Sequence, residues 1–289
     1  IVVILGPNAS GKSNLGVFLA KRFNGEIISA DSRQVYKKLD MGSGKITKKE
    51  MRGVPHHCLD IANPKKVFSA YDFQKCARET MEKIWEKNKL PIIVGGTGFY
   101  IDAAVGRVIL SNIPPNSKLR KKLTNYSTAR LFLILKKLDP KRAKNIDRNN
   151  KVRLVRAIEI AQSTPKSFAT GQANKTQKLK AQILWIGIKR SPENLKKRIR
   201  NRLLSRLQGI IKEVRTLHKK DLTWKRLFAL GLEYRYVSLY LRGKLSKDKM
   251  VKKLETEIRK YAKRQMTYWR RNKEICWISK KEEALKLIK

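Results

Sequence analysis

A glycine-rich run near the start constrains this chain more than any other stretch. Residues 6–13 read G-P-N-A-S-G-K-S, set between the apolar segment "IVVIL" and the amphipathic pattern "KSNLGVFLAKRF". An apolar run, then G-x-x-x-x-G-K-S, then helical periodicity is the layout of a phosphate-binding loop, and it commits the chain to a strand, a tight loop and a helix. Gly6 and Gly11 let successive backbone N–H groups turn inward, with Pro7, Asn8, Ala9 and Ser10 completing the cradle. Lys12 adds a positive charge, the Ser13 hydroxyl is a ligand for Mg²⁺, and the helix beginning near Lys12 presents its positive end. Such a cradle serves kinases, nucleotide hydrolases and transferases of phosphorylated groups alike, so the reaction stays open at this point.

The segments that follow set the fold class. "EIISA" at 26–30 and "LPIIVGG" at 90–96 are short, apolar and β-branched, and they alternate with helical patterns at 12–23 and 71–89. Alternating βα units predict a parallel sheet that binds ligands at the carboxyl ends of its strands. "QILWIGIKR" at 182–190 adds another buried strand. The expected class is α/β, a P-loop NTPase-like parallel sheet with helices on both faces. From Pro114-Pro115 onward the character changes, with helical patterns at 117–137 and 140–162 and then the polar run "STPKSFATGQANKTQK". This predicts a helical insertion over 113–180, with 1–112 opening the core and 181–289 completing it; no internal repeat is visible.

Charge points to a partner. Sixty-eight Lys+Arg against 23 Asp+Glu give a formal charge of +45, an imbalance that favours a polyanion, although it also fits a merely solvated surface. In the last third, Leu195, Ile199, Leu203, Leu207, Ile210, Val214 and Leu217 form one apolar stripe, with Lys196, Arg198, Arg200, Arg202 and Arg206 on the remaining faces. Met250, Leu254, Ile258, Tyr261 and Met266 repeat the pattern, with Lys263, Arg264, Arg270 and Arg271 outward. Cys58, Cys76 and Cys276 lie far apart and form no C-x-x-C pair, so they read as ordinary reduced thiols. No apolar run reaches the ~18 residues of a membrane span. The strand-like opening shows no secretory leader and no initiator Met, so the numbering is expected to begin inside the first strand and the location to be cytoplasmic.

Two strand ends carry further chemistry. "EIISA" runs into "DSRQVY", which puts Asp31 at a carboxyl end, as a base or Mg²⁺ ligand or as a cap of the following turn. "GGTGFY" offers Gly95, Gly96 and the Thr97 hydroxyl for close approach to a phosphate, or a tight turn before a helix. In "PHHCLD", His56 and His57 point to opposite faces if extended, which argues against a shared metal.

Taken in order, "GPNASGKS", "ISADSRQVY", "DMGSGK", "VPHHCLDI", "FSAYDFQ", "IIVGGTGFY", "NNKVRLVRAIEI", "GLEYR" and "IRKYAKRQMTYWRR" resemble the tRNA dimethylallyltransferases over nearly the whole chain. The resemblance implies that the loop holds the pyrophosphate of dimethylallyl diphosphate and that the acceptor is N6 of adenosine 37 in tRNA. It implies Asp31 as the base, with Lys12, Thr97, Arg202 and a Mg²⁺ held partly by Ser13 neutralising the departing diphosphate. Ser32, Arg33 and Gln34 would contact the extruded adenosine, and Arg120, Arg153, Arg156, Arg264 and Gln265 the surrounding RNA. The enzyme is expected to act as a monomer, away from membranes. Asn8 stands where the family usually has Thr, and "GLEYR" departs from the commoner "IGYKE". The competing readings are a P-loop kinase of a small metabolite, which needs a second acidic Mg²⁺ site and a lid, and a non-catalytic RNA-binding module, which leaves the intact phosphate loop without a task.

Overall fold

The computed structural model describes residues 1–108, 110–111, 113–163, 179 and 181–288. They divide into two compact units, Ile1–Val108 with Leu179–Lys289, and Ile109–Lys178.

The first unit opens with β1 (Val2–Leu5), the phosphate loop and α1 (Lys12–Arg22). It continues through β2 (Gly25–Ala30), the short α2 (Lys48–Met51), β3 (His56–His57), α3 (Ala70–Glu86), β4 (Leu90–Gly95) and α4 (Gly98–Ala104). The second unit holds α5 (Ser117–Thr124), α6 (Thr128–Leu138), α7 (Pro140–Asn145) and α8 (Lys151–Ser163). The chain then adds β5 (Leu184–Ile188), α9 (Pro192–Lys219), α10 (Trp224–Leu230), α11 (Leu232–Leu241), α12 (Lys247–Trp269), β6 (Cys276–Ile278) and α13 (Lys281–Leu285) to the first unit.

All six strands pair in parallel, in the order β3-β2-β4-β1-β5-β6. The pleat sends successive side chains of β1 to opposite faces. Val2 and Ile4 join Leu15, Val17 and Leu19 of α1 in one buried cluster. Val3 and Leu5 join Phe73 and Met81 of α3 and the apolar stripe of α9 in the other. With both faces covered, central strands need continuous apolar runs rather than alternation, which is what β1, β4 and β5 show.

Local signals fix the long helices. Ser191 caps α9 by accepting from Asn194 N, Pro192 sits in its first turn, and Ile199, Leu203, Leu207, Ile210, Val214 and Leu217 are buried. Each buried side chain of this size contributes about 1.5–3 kcal/mol. On α12 the inward stripe runs through Met250, Leu254, Ile258, Ala262, Gln265 and Trp269. Helical spacing from Ile258 thus selects Ala262 and Gln265, and Tyr261 and Met266 end up half-buried rather than inward as expected.

The helical pattern at 117–137 is two helices, because Ser127 caps a new start by accepting from Arg130 N. The pattern at 140–162 is likewise broken between α7 and α8, and Asp139 caps α7. This second unit has its own core of Leu123, Leu131, Leu135, Ala143, Leu154, Ala157 and Ile158. Most of the polar run, 164–178, lies outside the described residues. Among the described residues no helix is long and apolar enough to cross a membrane.

Candidate active site at the carboxyl ends of the strands

Strand order builds the site. β2, β4 and β1 are neighbours, with Ala30 opposite Gly95 and Ile4 opposite Val94. The residues that follow these strands are Asp31, Gly96-Thr97 and the phosphate loop, so parallel pairing brings all three to one edge of the sheet. Asp31, Gly96 and loop residues 8–13 line a cleft of about 970 Å³, and Thr97 stands next to the lining residues Gly96 and Ser32.

The loop needs its glycines for two different reasons. Gly11 has φ +104, and a Cβ on Gly6 (φ +145) would stand 2.9 Å from Ile188 O. Lys12 curls over the loop, donating from Nζ to Gly6 O at 3.0 Å and Pro7 O at 2.8 Å. Burial, then the Arg202 charge, pushes the Lys12 ammonium down to about 8, against a smaller upward pull from Asp31. Ser13 is exposed at the start of α1, whereas the Ser10 hydroxyl is buried and among the described residues has no hydrogen-bond partner.

Asp31 does two things at once. Its Oδ1 accepts from Arg33 N at 2.8 Å and Gln34 N at 3.4 Å, capping the turn, while Oδ2 takes no hydrogen bond among the described residues. The Thr97 hydroxyl oxygen accepts from Ser32 N at 3.1 Å and also meets the Tyr261 phenol, whose pKa burial and Asp31 push up to about 12. Arg33 donates to Leu230 O and Ser32 O. The Gln34 amide accepts from Ser29 Oγ at 3.2 Å and donates to Gly44 O at 3.2 Å. Both side chains are therefore braces of the cleft wall.

Three arginines on one face of α9, at Arg198, Arg202 and Arg206, are four residues apart and reach the cleft in a row. Arg198 Nε donates to Ala9 O at 2.7 Å, Arg202 Nη2 to Gly44 O at 3.1 Å and Arg206 Nη2 to Asp40 O at 3.4 Å. Arg190 joins them, donating from Nε to Ser10 O at 3.2 Å. Arg198 and Arg190 thus touch the phosphate loop itself, while Arg202, singled out in the sequence, stands over the 40–45 turn. The i, i+4, i+8 spacing was the signal for Arg198; Arg190 had none. Glu233 of α11 faces this row, and burial lifts its carboxyl above the usual range despite the opposing Arg206 and Arg202 charges. His56 and His57 make separate contacts, to Val54 O and to buried Glu26.

Three residues expected at the RNA have inward commitments. Gln265 is 5% exposed, with Oε1 accepting from Asn8 N at 2.9 Å and Nε2 donating to Gly96 O at 2.9 Å, so it ties the phosphate loop to the end of β4. Arg120 reaches Glu159 with Nε and Nη2 at 2.9 and 2.8 Å, and Arg156 donates to the same carboxylate. Burial would raise the Glu159 carboxyl, but the hydrogen bonds from Arg120, Arg156 and Asn116 N outweigh it and hold it at about 2. Arg153 and Arg264 remain exposed, the latter over the Tyr261 ring at 5.7 Å.

A phosphate loop, an acid and a hydroxyl at adjacent strand ends, flanked by a row of arginines, define a P-loop-type α/β group-transfer protein. Residues 34–272 match the IPP transferase family, and the chain belongs to it. It is 39% identical to tRNA dimethylallyltransferase 1 of Geotalea uraniireducens over 99% of this chain and 94% of that one. To the tRNA dimethylallyltransferase of Anoxybacillus flavithermus it is 38% identical over 99% and 92%. The crystal structure of the full-length tRNA isopentenylpyrophosphate transferase of Bacillus halodurans superposes with a TM-score of 0.70 at 35% identity, covering 96% and 89% of the two chains. A eukaryotic dimethylallyltransferase described as acting on tRNA gives a TM-score of 0.79 at 27% identity, over 93% and 69%.

Proposed function

We propose that the cleft transfers the dimethylallyl group of dimethylallyl diphosphate to N6 of adenosine 37 in tRNA and releases diphosphate. The observation that carries this is the placement of Asp31 and Thr97 beside the phosphate loop, which gives one edge of the sheet an acceptor-side base and a leaving-group cradle. The amino nitrogen attacks the allylic carbon, the carbon–oxygen bond to diphosphate breaks, and Asp31 takes the proton through its unengaged Oδ2. The negative charge that develops on the leaving oxygens meets loop N–H groups, Lys12 and the Arg198–Arg202 row, donors already fixed before reaction. Thr97, held between Ser32 N and Tyr261, completes that cradle.

Mg²⁺ fits the donor set. Among the described residues no cluster of three or more His, Cys, Asp or Glu could hold a metal, and Mg²⁺ on a diphosphate needs only one or two protein ligands beside phosphate oxygens and water. The exposed Ser13 hydroxyl would hold it, and the ion would neutralise charge on the diphosphate. The base must leave its stack to reach the cleft, and Ser32, Arg33 and Gln34 form the wall it enters against. Arg153 and Arg264 are the exposed cations assigned to RNA phosphates; Arg120 and Arg156 shape the second unit through Glu159.

The relatives' names favour this reading over the small-metabolite kinase, for each carries a prenyl-transfer activity toward tRNA. Mass analysis of anticodon-loop nucleosides after incubation with tRNA and dimethylallyl diphosphate tests it. A dimethylallyl mass gain on adenosine 37 supports the assignment; an unmodified loop, or a gain on another base, contradicts it.

A further inference from the structure

The fold brings together two cysteines that their 18-residue separation had hidden. Cys58 follows β3 directly in a left-handed conformation (φ 59), and Cys76 projects from α3; their Sγ atoms lie 2.8 Å apart. Cys58 is buried and Cys76 half-exposed, while Cys276 lies on β6 and contacts neither thiol. A covalent S–S bond of about 2.05 Å is within reach of small side-chain rotations from this arrangement.

The surroundings divide the labour between the two. The Cys58 hydrogen bond, with help from Thr80 and Lys83, holds the Cys76 thiol below its ordinary range, whereas that same contact and burial push the Cys58 thiol up. Cys76 is thus the more accessible, thiolate-prone partner and Cys58 the shielded one, the division found between an attacked and a resolving cysteine.

We propose that Cys58 and Cys76 form a peroxide-responsive modification site, a dithiol that closes reversibly to an intramolecular disulfide. The Cys76 thiolate attacks a hydroperoxide, breaking its O–O bond to give Cys76 sulfenic acid and hydroxide (or alkoxide). The Cys58 sulfur then attacks the Cys76 sulfur, the S–O bond breaks, and the hydroxyl leaves as water with the Cys58 proton. Two thiols are oxidised and one peroxide is reduced. The bridge would pin to α3 a loop that already holds the segment after Asp31, through Asp60 N to Gln34 O and Ile61 N to Val35 O.

The test treats the full-length protein with hydrogen peroxide, unfolds it, alkylates free thiols and maps peptides by mass. The expected result is a linked pair of peptides carrying Cys58 and Cys76, a mass loss of about two daltons for the two thiol hydrogens, and reversal by dithiothreitol. The link is retained in Cys276→Ser and absent in Cys76→Ser and in Cys58→Ser. Cys76 is only partly buried at the edge of the core, so Cys76→Ser perturbs packing less than Cys58→Ser and keeps the comparison readable if the Cys58 variant folds poorly. Oxygen adducts on Cys76 with Cys58 still alkylated, a bridge that includes Cys276, or three thiols that all stay free would each overturn the proposal.

Discussion

Asn8 N donates to Gln265 Oε1 at 2.9 Å, joining the phosphate loop to a helix that lies 257 positions further along the chain. The same amide holds Gly96 O, so one buried side chain sets the distance between the diphosphate cradle and the strand end that bears Thr97. Replacing Gln265 by Ala leaves the half-buried Asn8 N–H and the buried Gly96 carbonyl without this partner, at about 1–3 kcal/mol for each group that water fails to reach. Because small misplacements of catalytic groups cost up to about 10²-fold, Gln265→Ala is expected to lower kcat/KM by about 10- to 100-fold. Steady-state kinetics with dimethylallyl diphosphate varied would show it; wild-type kinetics would mean that the loop holds its shape unaided.

Lys12 supplies a pH dependence with a definite sign. Its ammonium, brought down to about 8 by burial and Arg202, is charged below that value and neutral above it. Phosphate groups complete their ionisation near ~6, so above pH 7 the ligand's charge is settled and the lysine alone changes. Binding of dimethylallyl diphosphate is expected to weaken as pH rises from 7 through 9. In Lys12→Met it should be weaker throughout and nearly flat. Calorimetric titration of both proteins across that range is the check, and parallel curves would contradict the role given to Lys12.

Asp31→Asn separates the two tasks of Asp31. The amide keeps an Oδ1 acceptor for Arg33 N and Gln34 N but removes the proton acceptor. Turnover should fall by about 10²- to 10⁴-fold while the melting temperature and tRNA affinity stay close to wild type. A variant that melts early but, where folded, turns over normally would show that only the turn-capping role is real.

Much of this was legible in the residues, and the reason is range. The phosphate loop, Asp31 and Thr97 sit where strands end, and glycines with β-branched runs announce those ends within a few residues. The sequence also shows that Arg120, Arg156 and Gln265 are polar or charged, but not which way they face. Glu159 lies 39 positions from Arg120, and Asn8 and Gly96 lie 257 and 169 from Gln265, so tertiary packing chooses between a buried bond and a solvent contact. Arg156 is the exception, with Glu159 one helical turn away and only its second partner, Ile113 O, distant. Cys58 and Cys76 failed the spacing rule for the same reason. β3 and β6 carry too few residues for any periodicity, and β6 exists because Ile186–Ile188 offers an edge to pair with.

Charge placement gives a salt-dependent test. Arg153→Gln and Arg264→Gln should each reduce the magnitude of the log–log slope of tRNA binding against salt by about 0.7–0.9, one released counterion apiece. Lys280→Gln and Lys286→Gln, exposed at the chain end, should leave the slope nearly unchanged. Equal changes from the two pairs would mean that the +45 charge acts as a diffuse field.

The most direct measurement counts products with ATP withheld. The protein is given tRNA, dimethylallyl diphosphate and Mg²⁺, and released diphosphate is quantified beside dimethylallylated adenosine. One diphosphate per modified adenosine, with no change when ATP is added, is the predicted result. Product that forms only with ATP would contradict the assignment of the phosphate loop to the leaving group, and diphosphate released without modified adenosine in the presence of tRNA would contradict the transfer to adenosine.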